Sequence, residues 1–173
     1  YSLVRKILAV TGADLDEPFH GRTLGEALLE PTRIYVKPVL AVMQAVTVKG
    51  VAHITGGGIV ENVPRVLPAG VAAHLEKSRW PRPAVFGWLQ EHGAVPEAEM
   101  HRTFNCGIGM VLVVAKPDVA AALATLAAHG AHVTGMVRDV DRARAALDEV
   151  GATTVELYQA DLASLASVRS FTD

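Results

Sequence analysis

Three consecutive glycines, Gly56 to Gly58, set the strictest limit on how this 173-residue chain can fold. They follow a short run of strand-forming residues, Val51 to Ile54, and precede Ile59 to Val63, which has the pattern of a helix start. Because glycine has no Cβ, the backbone can turn sharply here and its N–H groups can approach a ligand closely. The pattern predicts a strand, a glycine loop and a helix in succession.

Apolar side chains recur at helical spacing along much of the chain, and short β-branched runs separate these segments. Helices are predicted at residues 1–10, 23–29, 38–46, 84–92, 96–103, 118–128, 141–150 and 162–171. Strands are predicted at residues 33–36, 51–54, 71–75, 107–115, 131–137 and 153–158. Strand and helix alternate regularly only after Gly107, which indicates two origins within one mixed helix-and-strand chain.

The composition is that of an ordinary folded protein and argues against several functions. Sixteen Lys and Arg against 18 Asp and Glu give a formal charge of -2, so we expect neither nucleic acid nor a membrane as a partner. The longest apolar run, residues 107–115, is far shorter than the roughly 20 residues of a membrane helix. A single cysteine, Cys106, and seven histidines without paired spacing predict no disulfide, no metal site and a reducing cytoplasm.

The glycine loop is the first candidate for binding chemistry. Loop amides, the following helix start, the Thr55 hydroxyl and the Arg65 guanidinium could together hold a phosphate group. The same three glycines also fit a tight strand-to-helix turn that binds nothing. The pattern leaves both interpretations open.

Two further residues and one segment carry alternative interpretations. His53 is the candidate catalytic residue, as a proton donor or acceptor near neutral pH, or else a buried structural histidine on a strand. Asn62 either orients a substrate or caps the following turn. Arg102 to Gly109 forms a polar approach to a strand that could line a cleft, and within it we expect Cys106 to be a buried thiol rather than a nucleophile.

Five motifs occur in order over about the first 130 residues. They are YSLVRKIL at 1–8, LLEPTRIYVKPVL at 28–40, AHITGGGIVENVPRVLP at 52–68, FGWLQEHG at 86–93 and MHRTFNCGIGMVLVV at 100–114. In these motifs the chain resembles the C-terminal domain of aminoimidazole ribonucleotide synthetase, also called phosphoribosylformylglycinamidine cyclo-ligase. His101 departs from that family's pattern, which has tyrosine at this position.

The resemblance implies a purine-biosynthesis ligase that uses ATP to close formylglycinamidine ribonucleotide into aminoimidazole ribonucleotide. In the family the active site lies between two domains and across a dimer, and the N-terminal domain supplies most ATP and magnesium contacts. Tyr1 to Arg5 reads as the interior of a helix, so we expect this chain to begin inside a larger protein. It is then expected to be inactive alone and to bind no cofactor in isolation.

The resemblance also implies a fold and a set of binding residues. The fold is α/β, or α+β: a three-layer α/β/α sandwich with a mixed sheet, extended by C-terminal α and β elements. The C-terminal domain contributes the TGGG loop, so we expect a phosphorylated small molecule as the ligand. The predicted binding residues are Thr55, Gly56, Gly57, Gly58, Asn62 and Arg65.

The last part of the sequence resembles a second family. HGAHVTGMVRDVDRARAAL at 129–147 and TTVELYQADLASLASVRSFTD at 153–173 are similar to the second and third strands of short-chain dehydrogenases. That resemblance would place Arg138 at a nucleotide 2′-phosphate and Asp161 beside adenine. We expect no nicotinamide cofactor, because Ala115 to Asp118 stands where the glycine-rich TGxxxGxG is required and the catalytic Tyr-x-x-x-Lys does not occur.

These resemblances predict a cyclo-ligase-like domain at residues 1–130 and a dehydrogenase-like tail at 131–173 that packs on the same domain. The alternative is an engineered or selected chimera with no catalytic function, in which the tail contributes structure or self-association. Sheet edges left open by either source would favour a homo-oligomer.

Overall fold

The computed structural model describes residues 1–131, 133–137, 140–149 and 155–159. Within these ranges the chain forms two compact units, each assembled from three segments. The first unit comprises Tyr1–Arg33, Ile54–Asn62 and Pro81–Gly109. The second comprises Ile34–His53, Val63–Trp80 and the segment that begins at Met110.

The helices, in chain order, are α1 (Ser2–Thr11), α2 (Leu24–Leu28), α3 (Val36–Ala45), α4 (Gly58–Asn62), α5 (Ala84–His92), α6 (Glu97–Thr103), α7 (Val119–Ala128) and α8 (Val140–Glu149). The strands are β1 (Pro18–Phe19), β2 (Arg22–Thr23), β3 (Val48–His53), β4 (Met110–Val114), β5 (Val133–Val137) and β6 (Val155–Gln159). Short 3₁₀ helices cover Pro64–Val66, Lys77–Arg79 and Lys116–Asp118. The predicted α+β class is confirmed, and α1, α5, α7 and α8 lie where the apolar spacing predicts them.

The first unit is built around one hydrophobic cluster. Its buried members come from α1, α2, α5, α6 and the turn after α6: Val4, Ile7, Leu24, Trp88, Leu89, Met100 and Cys106. The helices contribute apolar side chains from one face each, which is the usual way short amphipathic helices are stabilised. Trp88 is part of this core, since only 9% of its surface is exposed.

A small hairpin precedes α2, where the pattern gave only a helix. β1 pairs antiparallel with β2, and His20 and Gly21 form the two-residue turn with φ of 48° and 83°. Positive φ at both turn positions matches the twist of a tight hairpin. Thr23 then caps α2: its Oγ1 accepts from the Glu26 N–H at 3.1 Å, and the Glu26 carboxylate accepts from the Thr23 N–H at 2.8 Å.

The second unit contains two pairs of strands. β3 and β4 are antiparallel, with His53 opposite Met110 and Val51 opposite Leu112. β5 and β6 are parallel, with Val133 opposite Val155. Helix α8 lies between β5 and β6 in sequence, as a parallel connection requires.

Helices of the second unit pack against one another through α7. α7 contacts α3, α8 and β5. Leu123 of α7 and Leu147 of α8 are 5% and 0% exposed and form a second hydrophobic cluster. Val119, Ala124, Ala127 and Val133 pack around them. β5 and α8, which lie beyond residue 130, therefore share a core with α7.

Three predicted strands differ in the structure. Residues 33–35 are irregular and Val36 begins α3, because Pro38 is compatible with the first turn of a helix. Residues 71–75 form no strand, since the prolines and glycine on either side interrupt the backbone and no described strand pairs with them. The segment 107–115 narrows to β4, which is partly rather than fully buried because β3 is its one neighbour among the described strands.

Candidate functional site

The glycine loop connects Ile54 to α4 within the first unit. Ile54 is 3% exposed, and its N–H donates to the carbonyl of Gly109 at 2.9 Å, which anchors the start of the loop. Thr55 and Gly56 are exposed, Gly57 is half-buried and Gly58 is buried. The loop therefore starts at an anchored backbone position, passes through solvent and re-enters the unit at Gly58.

Asn62, at the end of α4, fixes the direction of the loop carbonyls. Its side-chain amide is buried and Nδ2 donates to the carbonyl of Gly58 at 2.7 Å, of Gly56 at 3.2 Å and, more weakly, of Thr55 at 3.5 Å. An amide nitrogen supplies two protons, so these three acceptors share them. The sequence predicted that Asn62 either orients a substrate or caps the following turn. Neither prediction included this contact with the loop that precedes α4.

Positions 57 and 58 both require glycine because of their backbone conformation. Their φ angles are 94° and 57°, in the region that L side chains rarely adopt. A Cβ on Gly58 would collide with the carbonyl oxygen of His101 and approach that of Phe104 to 2.9 Å. Gly58 thus allows the loop to pack directly against the end of α6.

The loop amides divide into two sets. The N–H of Gly58 donates to the carbonyl of Thr55 at 2.9 Å, so it is occupied inside the turn. In the described part of the chain, the N–H groups of Gly56 and Gly57 donate no backbone hydrogen bond. With the carbonyls drawn toward Asn62, these two amides are the loop donors suited to an anion.

A charged pair lies beside the loop and was not predicted from the sequence. Glu61 Oε2 is 2.7 Å from the position of a Cβ on Gly57, and Glu61 Oε1 accepts from Arg102 Nε at 3.2 Å. Arg102 also faces Glu99 at 3.6 Å. These residues are 41 positions apart in sequence, and only the packing of α4 against α6 brings them together.

His53 and Arg65 belong to the second unit. His53 ends β3 and is exposed, so the alternative of a buried structural histidine is wrong. Its ring meets Tyr35 edge-on with 5.9 Å between centroids. Arg65 is exposed within the 3₁₀ helix Pro64–Val66. The structure therefore groups Thr55, the glycines and Asn62 in one unit, and holds His53 and Arg65 in the other.

The turn after α6 contributes to the core, and α6 itself contributes to a polar cluster. Cys106 is 1% exposed and its Sγ donates to the carbonyl of Met100 at 3.5 Å, which confirms the expected buried thiol. His101, which replaces the family's tyrosine, contacts Glu97 through Nε2 at 3.0 Å. Glu97 also accepts from Gln90 at 2.9 Å and Arg82 at 3.3 Å, so His101 joins a polar cluster on the surface of the unit.

Two further properties concern the described part of the chain. Its residues bring together no group of three or more His, Cys, Asp or Glu side chains that could hold a metal ion. Each of its helices is too short or too polar to cross a membrane.

The residues of the dehydrogenase-like resemblance lie outside the described part of the chain. They are Arg138 and Asp161, and the predicted helix at 162–171 lies outside it as well.

Comparison with known proteins places the chain in a domain family. Residues 1–148 match the family described as AIR synthase related protein, C-terminal domain, and the chain belongs to that family. The match continues beyond residue 130, where the sequence resemblance placed the end of the cyclo-ligase-like part.

The curated relatives specify the family further. The chain is 60% identical over 133 residues to a phosphoribosylformylglycinamidine cyclo-ligase of Burkholderia vietnamiensis (strain G4 / LMG 22486). The matched stretch covers 77% of this chain and 38% of that relative. The corresponding proteins of Burkholderia lata and Burkholderia cenocepacia are 60% and 59% identical over the same length and coverage. The match thus spans about two-fifths of the length of these curated relatives.

Proposed function

We propose that this chain is the C-terminal half of an ATP-dependent cyclo-ligase that converts formylglycinamidine ribonucleotide to aminoimidazole ribonucleotide, and that it is inactive alone. The observation that carries the proposal is the 60% identity to proteins named phosphoribosylformylglycinamidine cyclo-ligase, over a match to 38% of their length. A domain of this kind would supply part of an active site and depend on the remainder of such a protein for the rest.

The contribution we assign to the chain is phosphate binding by the glycine loop. Asn62 directs loop carbonyls inward, and the amides of Gly56 and Gly57 then face a ligand together with the Thr55 hydroxyl. Gly58 contributes by having no side chain, which allows the loop to lie against α6. Arg65 would add a guanidinium, the side chain best matched to phosphate oxygens.

His53 is the residue we propose for proton transfer. It is exposed at the end of β3, where an imidazole can reach a ligand from solvent. The ring closure also needs stabilisation of charge at an activated formyl oxygen. Backbone amides and cationic side chains provide that stabilisation without a covalent bond between a cysteine and the substrate, which suits a chain whose cysteine is buried.

ATP and magnesium are assigned to the remainder of the enzyme. The described residues gather no cluster of metal-ligating side chains, so we assign no magnesium ligand to them and place no step at a metal.

The test replaces the corresponding C-terminal part of the Burkholderia vietnamiensis enzyme with this chain. We expect the fusion to form aminoimidazole ribonucleotide in an ATP-dependent manner and the chain alone to form none. A fusion with Gly58→Ala, in which the loop cannot close on α6, is the inactive control, and Gly56→Ala is the active one. Turnover by the isolated chain would contradict the half-site proposal, and a folded but inactive fusion would contradict the family activity.

A second candidate is a chimera in which residues 131–173 derive from a dehydrogenase-like source and serve structure alone. The parallel pairing of β5 with β6 around α8 favours it, because this arrangement is typical of dinucleotide-binding folds. The burial of Leu147 against α7 supports a packing role. Removing residues 141–173 should then lower the thermal midpoint, while an unchanged midpoint would rule out any contribution to stability.

We further propose a cytoplasmic homo-oligomer that binds neither nucleic acid nor membrane. Val36, Leu40 and Met43 form an apolar row on α3 with 61%, 51% and 49% of their surfaces exposed, which favours contact with a second copy. Light scattering should give a mass above that of the monomer, and Leu40→Glu should reduce it. A monomer for the unmodified chain would contradict self-association.

A further inference from the structure

We propose that Arg102 is an anion-binding residue of the glycine loop and that Glu61 limits how tightly the loop binds. The inference rests on the proposed phosphate role of the loop and adds a residue that sets its affinity. Its basis is the juxtaposition of Gly57, Glu61 and Arg102 within the first unit.

One carboxylate connects the loop to Arg102. Glu61 Oε2 lies 2.7 Å from the position that a Cβ on Gly57 would take, and Glu61 Oε1 accepts from Arg102 Nε at 3.2 Å. The Glu61 carboxylate therefore lies between the Arg102 guanidinium and the loop at Gly57. Because 59% of the Arg102 side chain is exposed, the contact leaves it open to solvent and to a dissolved anion.

The geometry leaves Arg102 able to bind a second acceptor. A guanidinium carries five N–H donors, and the contact with Glu61 uses Nε. The contact of NH1 with Glu99 is 3.6 Å long, beyond an ordinary hydrogen bond. A phosphate at the amides of Gly56 and Gly57 could take up the terminal nitrogens, since paired N–H donors match phosphate oxygens.

Local charge explains the opposing role of Glu61. Arg102, Glu61 and Glu99 sum to one negative charge, which repels an anion arriving at the loop. Removing Glu61 would make the group neutral and release Arg102 toward the ligand. Removing Arg102 would take the positive charge from this group and leave its two carboxylates.

The test uses two substitutions that break the same ion pair with opposite changes in charge. Inorganic phosphate is titrated into the 173-residue chain, and the amide signals of Gly56 and Gly57 are followed by NMR. We expect Arg102→Gln to weaken binding by about tenfold or more, as for loss of a charged hydrogen bond. Glu61→Gln should strengthen it by roughly threefold, the scale of an exposed charge interaction.

The matched control is Arg22→Gln, which breaks the exposed Arg22–Glu30 pair at 2.6 Å and should leave phosphate binding unchanged. Arg102→Lys should recover part of the lost affinity, because it restores the charge without the planar donors. Raising the salt concentration should weaken binding to the unmodified chain.

The outcomes separate this inference from the proposed function. If Arg102→Gln and Glu61→Gln weaken binding equally, the pair is structural and the inference is overturned. It is also overturned if Arg102→Gln behaves like Arg22→Gln, while the phosphate role of the loop stands. If phosphate does not move the signals of Gly56 and Gly57 in the unmodified chain, both are overturned.

Discussion

At the scale of single residues, Gly58 should be the least replaceable position in the loop. Gly58→Ala forces a side chain into φ of 57° and into the carbonyl oxygens of His101 and Phe104. Strain in this region costs about 1–2 kcal/mol and overpacking about 1–3 kcal/mol, so we expect a loss of about 2–5 kcal/mol in the free energy of unfolding. Urea denaturation measures it.

Gly56 provides the matched control for that substitution. A Cβ at Gly56 meets no atom within 4 Å, and its φ is not positive. Gly56→Ala should therefore change the unfolding free energy by no more than about 0.5 kcal/mol. Equal losses for the two variants would show that the close approach of Gly58 to α6 does not constrain the loop.

A second residue-scale prediction concerns the pKa of Glu76. Hydrogen bonds from Arg79, and next from Ser78, hold the pKa of this carboxyl below its ordinary value. Arg79→Gln should raise the Glu76 pKa, and Ser78→Ala should raise it less, as measured by NMR titration of the carboxyl carbon. A larger effect of Ser78→Ala would contradict the assigned order of causes.

The sign of the accompanying stability change follows from the direction of the shift. A carboxyl whose pKa is lower in the folded chain stabilises the fold above its unfolded-state pKa. That contribution is lost as the pH falls through the lowered folded pKa of Glu76. The side chains of Arg79 and Glu76 are 28% and 33% exposed, so solvent screens the pair, and the pKa rather than the unfolding energy is the quantity to measure.

Single residues also mark what sequence can and cannot predict. The triple glycine and the buried Cys106 follow from local pattern, because conformational freedom and apolar character belong to the residues themselves. The Asn62 contact with the loop carbonyls and the Glu61–Arg102 pair depend on tertiary packing. Burial of His53 was an open alternative for the same reason, since exposure at the end of β3 depends on neighbours that the sequence does not specify.

At the scale of elements, α2 should depend on its N-terminal cap. The helix has five residues, too few to be stable by propensity, yet it places the fully buried Leu24 in the core. Thr23→Ala removes the hydroxyl that accepts from the Glu26 N–H and should cost about 1 kcal/mol. Urea denaturation would report it.

Thr125 is the control for the cap. It lies inside α7, where its hydroxyl donates to the carbonyl of Ala121 at 2.8 Å, a bond the helix does not need. Thr125→Ala should therefore change stability by less than about 0.5 kcal/mol. If both threonine variants cost the same, the cap of α2 contributes nothing specific.

Elements with long apolar periodicity were predictable, and those defined by turns were not. α5 and α7 follow from regular spacing of apolar side chains along nine or ten residues. The β1–β2 hairpin depends on left-handed backbone at His20, which the pattern does not reveal. The expected strand at 71–75 had suitable residues but no described partner strand, and pairing rather than composition decides strand formation.

At the scale of the whole molecule, the two units should unfold together. Each is assembled from three segments of the chain, so unfolding one unit releases the ends of segments that form the other. Leu147 is fully buried in the second unit and Met100 in the first. Leu147→Ala and Met100→Ala should each cost about 2–5 kcal/mol and lower one shared unfolding midpoint.

The two tryptophans allow this cooperativity to be measured, because Trp88 belongs to the first unit and Trp80 to the second. In a Trp80→Phe background, fluorescence reports Trp88 while circular dichroism reports all helices. Leu147→Ala should shift both transitions equally, although Leu147 lies beyond the predicted boundary at residue 130. In a contradicting outcome, the midpoint of the Trp88 transition would stay unchanged while the circular dichroism signal falls at a lower denaturant concentration. The core of α7 and α8 would then unfold by itself, which would favour an autonomous C-terminal part.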